Sequence, residues 1–191
     1  MVISSSARQN AILRARQAVS ARPVYLDTET TGLDLKDEIV EISIVNEDGS
    51  ILLDKFVRPI QPIPSEATRI HGITNRDVKS ALIWPILWRE VRPLLAGRLI
   101  VIYNADFDLR MMKQSMTRYH QPWNEKFDTF DLLKVYAEFR SEWDMKRQSY
   151  RYFSLEMAGK HTKIALPNTH RASADSLLTR ALLHHIAEAQ A

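Results

Sequence analysis

Residues 23–57 constrain the fold more than any other stretch of this chain. Residues 23–29 are an apolar run ending in acids, 39–45 are a second run dominated by Ile and Val, and 51–57 are a third. Short runs of this composition, bounded by turn residues, read as strands. Glu47-Asp48-Gly49-Ser50 joins the last two and is a hairpin signal. A three-strand antiparallel meander is therefore expected before any helix that could cross over the sheet. After it the pattern changes. Residues 81–96 read as a helix interrupted near Pro85 and Pro93, 99–103 as a short buried strand, and 107–116 as a helix. A fifth strand near 126–130 leads into a helix to about 142, and a final helix covers about 171–188. Ala174, Leu177, Leu178, Ala181, Leu182 and Ile186 repeat at helical spacing and form its expected buried stripe. Pro59, Pro62 and Pro64 mark a stiff loop, and 145–154 reads as a polar, aromatic loop. A meander followed by alternating strands and helices predicts an α/β domain with a mixed five-stranded sheet and helices on both faces.

Residues 4–21 read as a helix through Ala11, Ile12, Ala15, Ala18 and Val19, ended by Pro23. It is expected as a peripheral helix over residues 1–22, leaving 23–191 as a single domain. The 191 residues suffice for one proper core, and 45% hydrophobic with 26% charged residues is a globular balance. The chain has no cysteine, which excludes disulfide scaffolds, thiol catalysis and cysteine-ligated metals. Its longest apolar stretch, 81–88, is too short for a bilayer and contains a proline. The N-terminus lacks the apolar core of a signal peptide, so a cytoplasmic protein with no membrane partner is expected. The formal charge of +3 is compatible with a nucleic-acid partner without establishing one.

Three places carry candidate chemistry. Asp27 and Glu29 alternate onto one face at the end of the first strand, where two carboxylates repel unless a cation lies between them. The plain alternative is a strand running out into a polar turn. Tyr103-Asn104-Ala105-Asp106-Phe107-Asp108 lies at a strand-to-helix junction, and ligand sites in α/β sheets gather at such strand ends. One of Asn104, Asp106 and Asp108 is expected to cap the helix, with Asp106 the choice. His170 and Asp175 open the last helix, with Asp175 at the edge of its apolar stripe; an ordinary early-helix acid is the alternative. Together, four carboxylates and one histidine, with no sulfur, fit Mg²⁺ or Mn²⁺. Four negative charges balance two such ions, which points to two-metal hydrolysis of a phosphodiester.

The segments VYLDTETTGL (24–33), YNADFD (103–108) and HRASAD (170–175) resemble the three motifs of the DEDDh 3′-to-5′ exonucleases, which include proofreading subunits and RNase T. Ile70-His71-Gly72-Ile73-Thr74 and Asp128-Thr129 with Asp131-Leu132 also match family motifs, so the resemblance covers about 23–186. Tyr103 stands where many relatives have His, and Asp106 adds an acid. The chain stops soon after its last helix, without a polymerase-binding tail, although a polymerase partner stays open.

The resemblance implies a ribonuclease H-like fold and an enzyme releasing nucleoside 5′-monophosphates from the 3′ end of single-stranded nucleic acid, DNA favoured. It implies two Mg²⁺ or Mn²⁺ held by Asp27, Glu29, Asp108 and Asp175, with His170 as general base. Backbone groups of Thr30 and Thr31 would meet the 3′-hydroxyl. Leu33 would wedge between the last two bases, Asn104 and Phe107 would contact the nucleotide, and His71, Gly72 and Ile73 would lie beside the terminal base. Leu33 and Phe107 as plain core, His71 as a structural residue and Gly72 as a turn glycine are the alternatives. Glu41, facing as Ile39 and Ser43 do, leaves a supporting role open. Arg147, Arg151 and Lys160 with Tyr150 and Tyr152 form a basic aromatic stretch that either tracks a phosphate backbone or is solvated loop. Trp84, Trp88, Trp123 and Trp143 read as packing residues. The competing readings are an RNA-trimming 3′-to-5′ exoribonuclease and a non-catalytic nucleic-acid-binding module on the same fold. Oligomeric state is not legible.

Overall fold

The computed structural model describes residues 2–166 and 170–190, with side chains from residue 6 onward. Strands β1 (Val24–Thr30), β2 (Ile39–Val45) and β3 (Ile51–Phe56) form the expected antiparallel meander. β4 (Leu99–Ile102) joins β1 in parallel, and β5 (Asp128–Asp131) joins β4 in parallel. The sheet order is β3-β2-β1-β4-β5, so β1 is the central strand and its end is flanked by the end of β4. A register shift between Glu29 and Thr30 turns Ile39 away from the face shared by Glu29 and Glu41.

Both faces are covered by helices, as parallel connections require. Helices α3 (Trp84–Leu95) and α4 (Ala105–Arg118) cover one face, where Leu26, Ile42, Ile44, Ile100 and Ile102 meet Trp84, Leu87, Met111 and Met112. Trp84, Trp88 and Trp123 pack there in tilted contact, as expected. Helices α1 (Val2–Ser20), α5 (Leu132–Arg140), α6 (Leu155–Thr162) and α7 (Ala172–Glu188) cover the other face. The N-terminal helix is seated within this layer: Ala11, Ile12, Ala15 and Ala18 are buried against α5 and α7. Its small residues allow that close approach. No helix among the described residues is long and apolar enough to cross a membrane.

Several local expectations are corrected. Pro85 does not interrupt α3 but sits in its first turn, where its missing N–H costs nothing. The proline-rich loop runs into a short helix α2 (Ser65–His71), closed by Gly72 in a left-handed conformation (φ 73). The segment after residue 142 is a small hairpin of β6 (Trp143–Asp144) and β7 (Ser149–Tyr150), followed by α6. The Ser154 hydroxyl caps α6 by accepting from the Met157 N–H. Helix α7 is rotated from its expected stripe. Leu178, Leu182 and Ile186 are buried as expected, but Ala174, Leu177 and Ala181 are only half-buried, and Ala172, Asp175, Ser176, Thr179 and Leu183 are buried in addition. Trp143 is half exposed on the hairpin rather than packed.

Candidate active site

The site lies at the end of β1. Asp27 and Glu29 project from one face of this strand, and α7 crosses that face with Asp175 in its first turn. Ligand oxygens of Asp27, Glu29 and Asp175 all lie within 4.8 Å of one another. Asp108 stands outside that tight group. It reaches the sheet end from α4 on the opposite face, buried, and accepts a 2.7 Å hydrogen bond from the Thr28 hydroxyl. Thr28 is thus a residue the motif reading passed over, although it stands between the two strand carboxylates and faces the other way. Asp108 still acts on Asp27 electrostatically.

Crowding these acids out of water disfavours their charged forms. Burial, reinforced by the charges of Asp108 and Glu29, holds Asp27 well above the ordinary aspartate range. Burial and then Asp175 push Glu29 up to about 8. Burial pushes Asp108 up to about 7 against the opposing hydrogen bond from Thr28.

Glu41 takes a larger part than its place in the sequence suggested. It is buried in β2 opposite Glu29, accepts from Arg171 Nε at 3.0 Å and Nη2 at 2.5 Å, and accepts the N–H of Ala172 at 2.9 Å. A strand carboxylate therefore caps α7 from outside, anchoring the residue between His170 and the helix that carries Asp175. Its two partners differ in exposure, since the Glu41 side chain is 2% exposed and that of Arg171 42%. Arg171→Ala strands a buried carboxylate and is expected to cost about 3 kcal/mol, the low end for a broken buried pair. Glu41→Gln leaves Arg171 able to reach water and should cost about 1–2 kcal/mol. Urea unfolding of both variants checks the order, and a costlier Glu41→Gln would refute this account of the anchor.

His170 is exposed, with a left-handed backbone (φ 50), just ahead of α7. The residues expected around the nucleotide divide into two kinds. Leu33 is 75% exposed, and its carbonyl accepts from Arg110, whose guanidinium lies 5.3 Å from the Phe107 ring centroid. Arg110 and Gln114, one turn apart on α4, hold the loop after β1 through Leu33, Asp34 and Asp37. Phe107 is half-buried against the α3–α4 core. Asn104, rather than Asp106, stands at the helix N-cap in a left-handed conformation (φ 73), and its side chain makes no capping bond. Asp106 is instead exposed and bonded to Lys134, which also pairs with Asp131 at the start of α5.

Other expected contacts are already engaged within the protein. The Thr31 N–H donates to Glu38 O, and the Thr31 hydroxyl donates to Asp37. The Thr30 hydroxyl donates to Gly32 O. His71 is buried, with Nδ1 accepting from the Ile73 N–H and Nε2 donating to Thr30 O. Both ring nitrogens are thus spent on backbone, and burial holds the imidazole below its ordinary pKa. Ile73 is buried in a small cluster with Val40, Ile63, Ala67 and Val78. Gly72 serves the turn after α2. A Cβ at Gly32 would meet the Asp37 carboxylate at 2.5 Å, so a side chain there would displace that carboxylate from the Thr31 hydroxyl and the Asp34 N–H.

Residues 24–183, from β1 through most of α7, match the RNase T family of exonucleases. The chain belongs to this exonuclease family. It is 35% identical to the uncharacterized exonuclease CP81 of Escherichia phage 186, over 92% of this chain and 93% of that protein. It is 31% identical to DNA polymerase III subunit epsilon of Rickettsia prowazekii, over 51% of this chain and only 45% of that subunit. Exonuclease X in complex with 5′-overhanging duplex DNA shares its fold at TM-score 0.64 and 27% identity, over 85% of this chain and 89% of that one. Exonuclease I of E. coli, in complex with a dA16 oligonucleotide, shares the fold at TM-score 0.67 and 20% identity, over 83% of this chain and 39% of that one. This exonuclease is accordingly a nuclease hydrolase on a mixed five-stranded, ribonuclease H-like sheet.

Proposed function

We propose that this enzyme removes nucleotides one at a time from the 3′ end of single-stranded DNA, as nucleoside 5′-monophosphates, in the cytoplasm. The observation that carries the reading is the convergence of Asp27, Glu29 and Asp175 at the end of the central strand of an exonuclease-family domain. The domain comprises residues 23–191, with α1 packed into its helical layer against α5 and α7. DNA is favoured because the proteins of similar fold include exonucleases in complex with DNA.

The donor set suits hard divalent cations: three clustered carboxylates and a fourth beside them, with cysteine absent from the whole chain. Asp27, Glu29 and Asp175 would hold one Mg²⁺ or Mn²⁺, and Asp27 with Asp108 a second. Such ions, when bound, neutralise charge on the entering and leaving oxygens and make water a better nucleophile. The chain's own residues do the rest. His170 accepts the proton of the attacking water, as a positioned imidazole nitrogen can. Its exposed position lets it approach a substrate arriving from solvent. Glu41 and Arg171 fix the backbone on either side of that step. Leu33 wedges between the last two bases, Phe107 offers a ring face to the nucleotide, and Asn104 lines the same mouth. Thr30 and Thr31, whose backbone groups bond to His71 and Glu38, form the floor of the slot, and their backbone would meet the 3′-hydroxyl.

A slot for one terminal nucleotide requires a free 3′-hydroxyl. A 3′-phosphate is expected to block digestion, and a closed single-stranded circle should survive with Mn²⁺ present. Timed digests of matched labelled linear DNA, circular DNA and RNA check this. Cutting of the circle would mean an endonuclease, and faster loss of the RNA would turn the reading to RNA trimming.

The raised carboxyl pKa values set the pH dependence of stability. Folded, cation-free protein keeps protons on Glu29 up to about 8 and on Asp108 up to about 7. The unfolded chain releases them near pH 4. Their contribution to stability is therefore complete below about pH 4 and is lost as pH rises through about 7–8. In EDTA, the excess of the wild-type melting temperature at about pH 5.5 over that at about pH 8.5 should shrink in Asp108→Asn, which titrates nothing there. Mn²⁺ should raise the curve most at the higher pH, since it binds the ionised acids. An unchanged pH difference in the variant would remove Asp108 from the coupled group.

A further inference from the structure

The hairpin between α5 and α6 has no part in the chemistry described above, yet it is built unlike a solvated loop. Trp143 is 50% exposed, Tyr152 51% and Met145 74%. With Lys146, Arg147 and Arg151 they line an open recess of about 650 Å³. Tyr150 meets Trp143 edge to face at 5.2 Å, which holds the indole in place while half its surface stays open to solvent. The acids of this stretch are engaged locally. Asp144 accepts the N–H groups of Lys146 and Arg147, and Glu142 is paired with Arg140. Lys146 and Arg151 have no ion-pair partner among the described residues. The recess therefore presents uncompensated positive charge beside exposed aromatic surface, the combination that tracks a single strand: cations for phosphates and ring faces for bases.

Its position suits a strand whose end lies in the active site. The limb leaving the hairpin is pinned to the sheet end, where the Tyr103 hydroxyl donates to Phe153 O at 2.7 Å. Tyr103 immediately precedes Asn104, which opens the helix that carries Asp108, and α6 begins two residues after Phe153.

We propose that the β6–β7 hairpin is a second nucleic-acid contact, binding the single strand upstream of the 3′-terminal nucleotide through Trp143, Tyr152, Lys146 and Arg151. The proposal rests on the nuclease reading above and adds a length dependence to it. A strand of about 20 nucleotides, longer than the ~4–16 that one groove covers, reaches the hairpin, whereas a strand of about 4 fills only the slot.

Two measurements test it. In the first, Trp143 fluorescence is followed with a 3′-phosphorylated thymidylate strand of about 20 nucleotides in EDTA. Quenching is expected in wild type and should be lost in Trp143→Phe. Lys146→Ala/Arg151→Ala should flatten the slope of log K against log salt by about 1.4, the share of two phosphates on a single strand. In the second, hydrolysis is compared on long and short strands. The double variant, and Tyr152→Ala separately, should raise KM on the long strand about fivefold or more, with kcat unchanged and with the short strand unaffected. Equal effects on both lengths, or none on either, overturn the proposal. So does quenching by polyglutamate as strong as that by thymidylate, which would mark an acidic protein partner instead. Wild type that quenches with thymidylate yet hydrolyses neither strand would sink the nuclease reading while leaving the hairpin contact standing.

Discussion

Purified Asp27→Ala is expected to fold and to lose hydrolysis by more than about 10³-fold, beyond what a single electrostatic donor is worth. Asp27 lies on the central strand, between Glu29 and Asp175 on one side and the influence of Asp108 on the other. No neighbouring side chain can take its place, because the strand alternates and the adjacent positions, Leu26 and Thr28, face the other layer. Asp175→Ala should behave in the same way, since α7 offers no other carboxylate to that face. Both variants remove a source of repulsion, so in EDTA each should melt at least as high as wild type. Appreciable turnover by Asp27→Ala, measured on a labelled single strand with Mn²⁺, would end the metal assignment.

His170→Ala should retain cation and strand binding yet lose roughly 10²–10⁴-fold in rate, the usual value of a positioned general base. Its side chain is exposed and supports no core packing, so stability should not change measurably. The contrast with Arg171→Ala is informative, because the two residues are adjacent. Arg171 acts through its bond to Glu41 and should show its effect in unfolding, whereas His170 should show it in kcat alone. A His170→Ala enzyme with a near-wild-type rate would exclude His170 as the base.

Sequence and tertiary structure contributed different things. The order of strands and helices was legible because alternation and helical spacing are local, and β2 falls on the residues its Ile and Val run marks. The clustered carboxylates were legible for a similar reason. Asp27 and Glu29 share a face by strand geometry alone, and the motif around Asp175 is a fixed spacing within one helix start. What depends on packing was not legible. The short α2 and α6 lie beside prolines and polar aromatics whose turn signals outweigh a helix of one or two turns. The burial of α1 is decided by Ala11, Ala15 and Ala18 finding α5 and α7, which lie far away in the chain.

The rotation of α7 was decided by its neighbours as well. Hydrophobic spacing alone turned Ala174 and Ala181 inward. The Glu41 cap on Ala172 and the polar end of β1 turn Asp175, Ser176 and Thr179 to the sheet instead. Asp106 does not cap α4, because Lys134, from the next helix, holds its carboxylate on the surface. The sequence alone therefore determined the five main strands in chain order and the shared face of Asp27 and Glu29. Only the tertiary structure decided that Asp108 is held apart by Thr28, that Glu41 and Arg171 anchor the histidine's neighbour, and that His71 is spent on backbone, because each rests on a contact between residues distant in the chain or on a burial that no local pattern encodes.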